Sequence, residues 1–147
     1  MFRVLGLDVG ERRIGFAFGN IMPMGSSIVV PGGFLEVHND AEALRSVKEL
    51  AEEEGVDTLV IGVPLRNSED TAQSRKIRIL AEAIHQALPN MEMHFWDESL
   101  SSVAAGQQLV EAELKHSGKS KRGRVDAVAA SLILQGFLDS RRMYPGL

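Results

Sequence analysis

Three acidic residues that are distant in the sequence lie at positions where carboxylates could act together. Asp8 follows the apolar run Phe2–Leu7, which predicts a buried strand. Glu98, with Asp97 before it, closes another predicted strand, Met91–Trp96. Taken singly, each acid has an ordinary explanation, because acids favour turns and the first turns of helices. A shared chemical role requires that these acids converge in the fold.

The third acid, Asp126, lies on the apolar face of the last predicted helix. Ala129, Ala130, Ile133 and Phe137 follow it by three, four, seven and eleven residues, which is the spacing of one helical face. That face should pack on a sheet, whereas an acid that only complements the helix dipole usually points to solvent. A carboxylate directed at the sheet needs a partner or a cation to offset its lost hydration.

Together, Asp8, Glu98 and Asp126 predict a site that binds divalent metal ions and cleaves phosphodiester bonds. Mg²⁺ and Mn²⁺ prefer a few carboxylate ligands and keep water for exchange. Two such ions about 4 Å apart can activate a water and stabilise the leaving oxygen. The chain has no cysteine, which excludes thiolate catalysis, and its four histidines lack paired ligand spacing. Without metal, the three converging carboxylates should repel one another.

A run of cations precedes Asp126 and offers a surface for phosphates. The segment 115–124 contains no acid, and its candidate nucleic-acid contacts are Lys115, Lys119, Lys121, Arg122 and Arg124. Arg12 and Arg13, in the turn after the first strand, are further candidates. The formal net charge of −4 argues against a surface that is basic throughout, and a solvated loop without a partner is the alternative. Beside a cluster of carboxylates, however, a phosphate backbone requires positive neighbours.

The elements that position these residues follow an order typical of α/β proteins. Three strands come first, then helix, strand, helix and strand; a helix from Ser101 or Ser102 to about Glu113 precedes the last one, from about Val125 to Asp139. Three antiparallel strands followed by two parallel ones predict a mixed five-stranded sheet flanked by helices. The length predicts a single domain over residues 1–147.

Composition and hydropathy favour a protein of the cytoplasm. The chain is 44% hydrophobic and 24% charged, which is ordinary for a globular protein. No apolar run is long enough to span a bilayer, and MFRVLGLDVG lacks the regions of a signal peptide. We therefore expect a cytoplasmic location and no membrane partner.

Four motifs carry a family resemblance that covers nearly the whole chain. They are LGLDVGERRIGFAFGN at the first strand, VIGVPL at the fourth, DESLSSVAA at the fifth, and RVDAVAASLILQGFLD in the final helix. In this order they resemble the motifs of the YqgF/RuvX family of ribonuclease H-like proteins. The resemblance implies a ribonuclease H-like fold and a nuclease that uses Mg²⁺ or Mn²⁺. It assigns the metal and catalytic roles to Asp8, Glu98 and Asp126, with Asp97 supporting Glu98.

Two positions depart from the family pattern. The strand-five motif usually reads D-E-R-L-T-T, and Ser99 stands here in place of the arginine. The loop after VIGVPL commonly contains a glycine turn, which the segment RNSEDTAQS lacks. We therefore expect substrate contacts near Glu98 and the conformation of this loop to differ from the family pattern.

Several functions remain compatible with the same residues. The family is described both as nucleases acting on the 5′ end of pre-16S ribosomal RNA and as Holliday junction resolvases. We expect a structured nucleic-acid partner, RNA rather than DNA, within ribosome precursors. Symmetric cleavage of a four-way DNA junction would require a homodimer instead of a monomer. A non-catalytic nucleic-acid or transcription-complex partner is a further alternative, as is an actin-like phosphate binder, although the latter needs two such domains.

Overall fold

The protein folds into a five-stranded sheet with helices on both faces. This computed structural model describes residues 2–23, 25–100 and 121–143, except for the side chains of residues 100, 121–124 and 142–143. The strands are β1 (Phe2–Val9), β2 (Arg13–Ile21), β3 (Ser27–Glu36), β4 (Thr58–Val63) and β5 (Glu92–Asp97). The helices are α1 (Asp40–Glu53), α2 (Ala72–Ala87) and α3 (Lys121–Met143), and a 3-10 turn spans Glu98–Leu100.

The strand order is β3-β2-β1-β4-β5. The first three strands form an antiparallel meander, and β4 and β5 extend it in parallel beyond β1. Strands β1, β4 and β5 therefore end at the same edge of the sheet, which we call the carboxyl edge. The α/β class and the mixed five-stranded sheet predicted from the sequence are confirmed.

Two apolar layers hold the helices to the sheet. On one face, β-strand residues such as Leu5 and Ile61 pack with Val47 of α1 and Ile84 of α2. On the other face, neighbouring strand residues pack against α3 through its buried residues Ala129, Ala130, Ile133, Leu134, Phe137 and Leu138. Each β-strand exposes alternate side chains to the two faces, so the parity of a residue decides which helices it meets.

Helix starts show how local signals agree with tertiary packing. Asn39 caps α1 by accepting a hydrogen bond from the Glu42 amide at 2.8 Å. Thr71 and Ser74 form a reciprocal capping box at the start of α2. Helix α3 is different, because it begins at Lys121 rather than near Val125 as expected. The predicted helix from Ser101 or Ser102 to about Glu113 lies outside the described residues.

The loop after β4 turns without a glycine. Asn67 and Ser68 have φ angles of 50° and 65°, the left-handed region that glycine usually occupies. Arg66 and Glu69 exchange two backbone hydrogen bonds, of 3.0 and 2.9 Å, across this turn. Asparagine tolerates the left-handed region better than most residues, so Asn67 offers a substitute for glycine.

Among the described helices, none is long and apolar enough to cross a membrane.

Candidate active site

The carboxyl edge of the sheet brings the acids of β1 and β5 together. Asp8 is the penultimate residue of β1, and Glu98 begins the 3-10 turn directly after β5. Strand β4 separates the two, with Leu7 of β1 opposite Ile61 and Gly62 opposite Trp96. The backbones of β1 and β5 are two strand spacings apart, about 10 Å, and the side chains of Asp8 and Glu98 span this distance over β4.

Asp8 and Glu98 are joined by a side-chain hydrogen bond. The residue beneath them is Gly62, and the absence of a side chain there is a requirement of the packing. A Cβ atom on Gly62 would lie 2.8 Å from Oε1 of Glu98 and 2.4 Å from Cδ1 of Ile133. Gly62 thus leaves the space in which Glu98 reaches Asp8 under helix α3.

The two carboxyl groups are held in an environment that disfavours charge on both. Burial raises the pKa of Glu98 to about 8, helped by the nearby charge of Asp8, their hydrogen bond and the charge of Asp97. Burial also raises the pKa of Asp8, while its hydrogen bond with Glu98 works in the opposite direction and the charge of Asp126 adds to the rise. Such a pair shares protons and titrates as a unit.

Asp126 lies on the sheet-facing side of α3, as its spacing from the apolar residues predicts. The start of α3 approaches β2 closely, since a Cβ on Gly15 would lie 2.1 Å from the backbone oxygen of Asp126. Gly15 is paired with Asp8 in the β1–β2 register. Asp126 is therefore near enough to Asp8 to influence its pKa by charge.

The Asp126 carboxylate is bound by an arginine rather than by the other acids. Nε of Arg13 donates to Oδ2 of Asp126 at 2.6 Å. Sequence reasoning grouped Arg13 with nucleic-acid contacts and did not find this ion pair. The two residues are 113 positions apart. The hairpin between β1 and β2 indicated that Arg13 lies near Asp8, but no local pattern placed α3 over it.

Asp97 supports the chain beside Glu98. Its Oδ1 accepts hydrogen bonds from the amide and the hydroxyl of Ser99, at 2.9 and 2.7 Å. Ser99 stands where the family motif has arginine, and here it fixes the turn that presents Glu98. Asp97 thus orders the start of the 3-10 turn, and its charge contributes to the raised pKa of Glu98.

The acids fit a divalent cation in their chemistry, although they are not arranged as a finished three-ligand site. In residues 2–23, 25–100 and 121–143, no group of three or more histidine or acidic side chains is gathered as a metal site. Asp8 and Glu98 present only oxygen ligands, and a cation between them would compensate for the burial that raises the pKa values of both. One carboxylate oxygen of Asp126, Oδ2, is already bonded to Arg13. The three-acid ligand set stays a prediction.

The other predicted nucleic-acid contacts are only partly described. Arg12 is exposed at the turn between β1 and β2. Lys121, Arg122 and Arg124 belong to the beginning of helix α3 rather than to a loop, and the placement of their side chains is not described. Lys115 and Lys119 lie outside the described residues. Their roles stay predictions.

A cleft of about 570 Å³ lies beside the carboxyl edge but on the opposite face of the sheet. It is lined by the β1–β2 turn and by the first turns of α1 and α2, including Gly10, Asp40 and Lys76. None of the three candidate acids lines this cleft. We assign the chemistry to the acids rather than to this cleft, because the raised pKa values of Asp8 and Glu98 mark them as candidate functional groups.

Comparison with known proteins gives one family. The family model described as "RuvX: Holliday junction resolvase" matches residues 2–140. A Clostridium botulinum protein named "Putative pre-16S rRNA nuclease" is 39% identical over 142 residues, covering 94% of this chain and 97% of its own. A protein of the same name from Chloroflexus aurantiacus is 37% identical over 143 residues, covering 97% of this chain and 90% of its own.

Solved structures of resolvases share the fold. Thermus thermophilus RuvC in complex with a Holliday junction substrate has a TM-score of 0.59 and 12% identity, with 95% of this chain and 96% of that chain covered. Fowlpox virus resolvase with Holliday junction DNA has a TM-score of 0.62 and 13% identity, with 95% and 98% covered. At this identity the likeness establishes the ribonuclease H-like fold alone.

Proposed function

The chain belongs to the RuvX family, and from this membership we propose that it is a metal-dependent nuclease that processes the 5′ end of pre-16S ribosomal RNA. The observation that carries the nuclease assignment is the hydrogen-bonded pair of Asp8 and Glu98, whose pKa values are both raised. Perturbed carboxyl groups at the carboxyl edge of an α/β sheet are typical of functional sites. The names of two relatives at 37% and 39% identity support RNA as the substrate.

Asp8 and Glu98 are the residues that would hold Mg²⁺ or Mn²⁺, with Asp126 as the third ligand. A bound pair of ions would supply Lewis acidity for attack of water on the scissile phosphate and for departure of the leaving oxygen. The chain's own contribution is to fix the ligands: Gly62 leaves room for Glu98, and Asp97 orders the turn that carries it. Rigid placement of this kind lowers the reorganisation needed at the site.

The substrate would be held by positively charged residues in addition to the acids. The nucleic-acid contacts that we propose are Arg12, Arg13, Lys115, Lys119, Lys121, Arg122 and Arg124. Lys121, Arg122 and Arg124 belong to the first turn of α3, the helix that carries Asp126. Contacts of this kind bind phosphates without reading sequence, so they position structured RNA over the acids.

Cleavage of four-way DNA junctions is the second candidate. It is supported by the family description, which names a Holliday junction resolvase. The same acids would serve, but paired cuts in opposite strands require two sites related by symmetry. This function therefore predicts a homodimer on the junction, whereas processing of one RNA end can be performed by a monomer.

The two candidates are separated by a direct cleavage assay. The full chain is incubated with a 5′-extended 16S ribosomal RNA fragment and, in parallel, with a four-way DNA junction, each with Mn²⁺, Mg²⁺ or excess EDTA. We expect metal-dependent cleavage of the RNA near its mature 5′ end and none in EDTA. Faster, symmetric cutting of the junction would favour the resolvase function. Absence of cleavage of both substrates with either metal would contradict a nuclease.

A further inference from the structure

We propose that Arg13 is an internal counter-cation, which holds Asp126 while the site has no metal and releases it when a divalent cation binds. This inference rests on the proposed function and concerns how the same site is regulated. It makes Arg13 a positioning residue whose partner changes from Asp126 to the phosphate of the substrate.

The sheet register places Arg13 where a cation would neutralise the acids. Asp8 is opposite Gly15, and Val9 is opposite Ile14, in the antiparallel β1–β2 pair. Ile14 belongs to the core under α1 and α2, so Arg13 and Gly15 lie on the face covered by α3. Gly15 underlies the backbone of Asp126. Arg13 is therefore beside the carboxylates and on their face of the sheet.

The contact itself is short and shielded. The distance of 2.6 Å joins Nε of Arg13 to Oδ2 of Asp126, and the side chains are 31% and 19% exposed. A charge-assisted hydrogen bond in such partial burial is stronger than an exposed ion pair. A metal ion that takes this oxygen must displace the bond, and one that takes Oδ1 of Asp126 is repelled by the adjacent guanidinium charge, so the guanidinium and the metal compete for Asp126.

Competition explains why the acids are gathered only in part. Asp8 and Glu98 are bonded to each other, and Asp126 influences Asp8 by charge while its carboxylate is bound to Arg13. A divalent cation carries twice the charge of a guanidinium and would displace it from Asp126. The released guanidinium stays at the edge of the site, where it can form a bidentate contact with a phosphate.

A purely structural role for Arg13 predicts different behaviour. In that case the ion pair only fastens α3 to β2, and removal of the guanidinium would loosen Asp126 and weaken metal binding. Counter-cation and structural roles therefore give opposite changes in metal affinity. The measurement needs neither substrate nor catalysis.

The test measures Mn²⁺ binding to the full chain by calorimetry for the parent, Arg13→Gln and Arg13→Lys. Arg45→Gln is the matched control, since it removes the same charge from an exposed residue of α1 on the other face of the sheet. We expect Arg13→Gln to bind Mn²⁺ at least about tenfold more tightly, because a repelling and competing unit charge is removed. Arg13→Lys should lie between the parent and Arg13→Gln, and Arg45→Gln should match the parent. Unchanged or weaker binding in Arg13→Gln would overturn the proposal.

A second measurement uses the unmodified chain, in case a variant does not fold. The Nε–H resonance of Arg13 is followed by NMR while Mg²⁺ is added. We expect it to move to the position of an unpaired guanidinium as the metal saturates, and an unshifted resonance at saturation would overturn the proposal. Failure of the nuclease function is distinguishable, because it appears as absent cleavage by a parent that still binds Mn²⁺. A parent that binds no Mn²⁺ contradicts both.

Discussion

Glu98 is the residue whose protonation the fold changes most clearly. Its pKa rises from 4.5 to about 8 because burial, the charge of Asp8, their hydrogen bond and the charge of Asp97 all favour the neutral form. The folded metal-free protein therefore holds a proton that the unfolded chain releases between these two values. By linkage, the free energy of unfolding falls as pH rises through this window.

The first prediction concerns Glu98→Gln in EDTA. The amide keeps the shape and cannot ionise, so the variant should lose much of the decline in stability that the parent shows between about pH 4.5 and 8. The contribution of the raised pKa is fully present below pH 4.5 and is lost as pH passes through 8. Urea unfolding at several pH values measures this, and the stability difference between variant and parent should grow with pH. A difference independent of pH would contradict the coupled pair.

The positions of the three acids in the fold could be predicted from the sequence better than their partners could. The inward position of Asp126 follows from the helical spacing of Ala129, Ala130 and Ile133, which is a local property. Its bond to Arg13 depends on how α3 crosses β2, and the two residues are 113 positions apart. The sequence also predicted repulsion among all three acids. The structure pairs Asp126 with Arg13 and joins Asp8 to Glu98 by a hydrogen bond, although the charge of Asp126 still raises the pKa of Asp8.

At the scale of elements, the site depends on how closely α3 approaches the sheet. Gly15 permits the contact with the backbone of Asp126, and Gly62 permits the contact with Ile133 and Glu98. Both glycines lie in strand interiors, where a side chain would normally strengthen the strand. The sequence around either glycine does not reveal this requirement, because the helix that packs against them, α3, lies far along the chain.

The second prediction is that Gly15→Ala displaces the start of α3 and lowers stability. Its Cβ would lie 2.1 Å from the backbone oxygen of Asp126, whereas the Cβ of a Gly33→Ala control would lie 3.4 Å from the Phe16 ring. We expect Gly15→Ala to cost about 1–3 kcal/mol, the usual penalty for overpacking. It should also reduce cleavage, because Asp126 moves. Thermal unfolding of both variants checks the difference, and equal stabilities would contradict the close packing.

The sequence predicted the strand types and the parallel pairing, because crossover connections constrain them strongly. It placed the start of α3 about four residues too late. Gly123 is a poor helix former, and cations are unfavourable in the first turn of a helix, so these residues favoured a loop. The helix nevertheless extends back to Lys121. Packing of its apolar face outweighs a weak local preference over one turn.

At the scale of the whole molecule, the net charge of −4 must be reconciled with a polyanionic substrate. The protein as a whole repels nucleic acid weakly, so binding depends on where its cations lie. The basic residues at the start of α3 lie on the element that carries Asp126. The opposite face of the sheet is covered by α1 and α2. The exposed cations Arg45 and Lys48 of α1 are therefore not expected to meet the same substrate.

The third prediction follows from this distribution. The double variant Lys121→Gln, Arg124→Gln should bind RNA more weakly, with a salt dependence flatter by about one to two units of logarithmic slope. The double variant Arg45→Gln, Lys48→Gln makes the same change in net charge and should keep the parent slope. Titrations at several salt concentrations, with Ca²⁺ to prevent cleavage, measure both. Equal slopes in the two double variants would remove the α3 cations from the interface.

The cleavage rate of Glu98→Gln on the 5′-extended 16S ribosomal RNA fragment is the decisive measurement for the nuclease function. The rate is measured in a single turnover at saturating Mn²⁺, beside the parent and the control Glu92→Gln. Glu92 lies at the opposite end of β5, exposed and bonded to His94 at 2.8 Å. We predict that Glu98→Gln slows cleavage at least roughly a hundredfold while Glu92→Gln cleaves at the parent rate. Cleavage by Glu98→Gln at the parent rate would contradict the assignment of Glu98 as a ligand of the metal that cleavage requires.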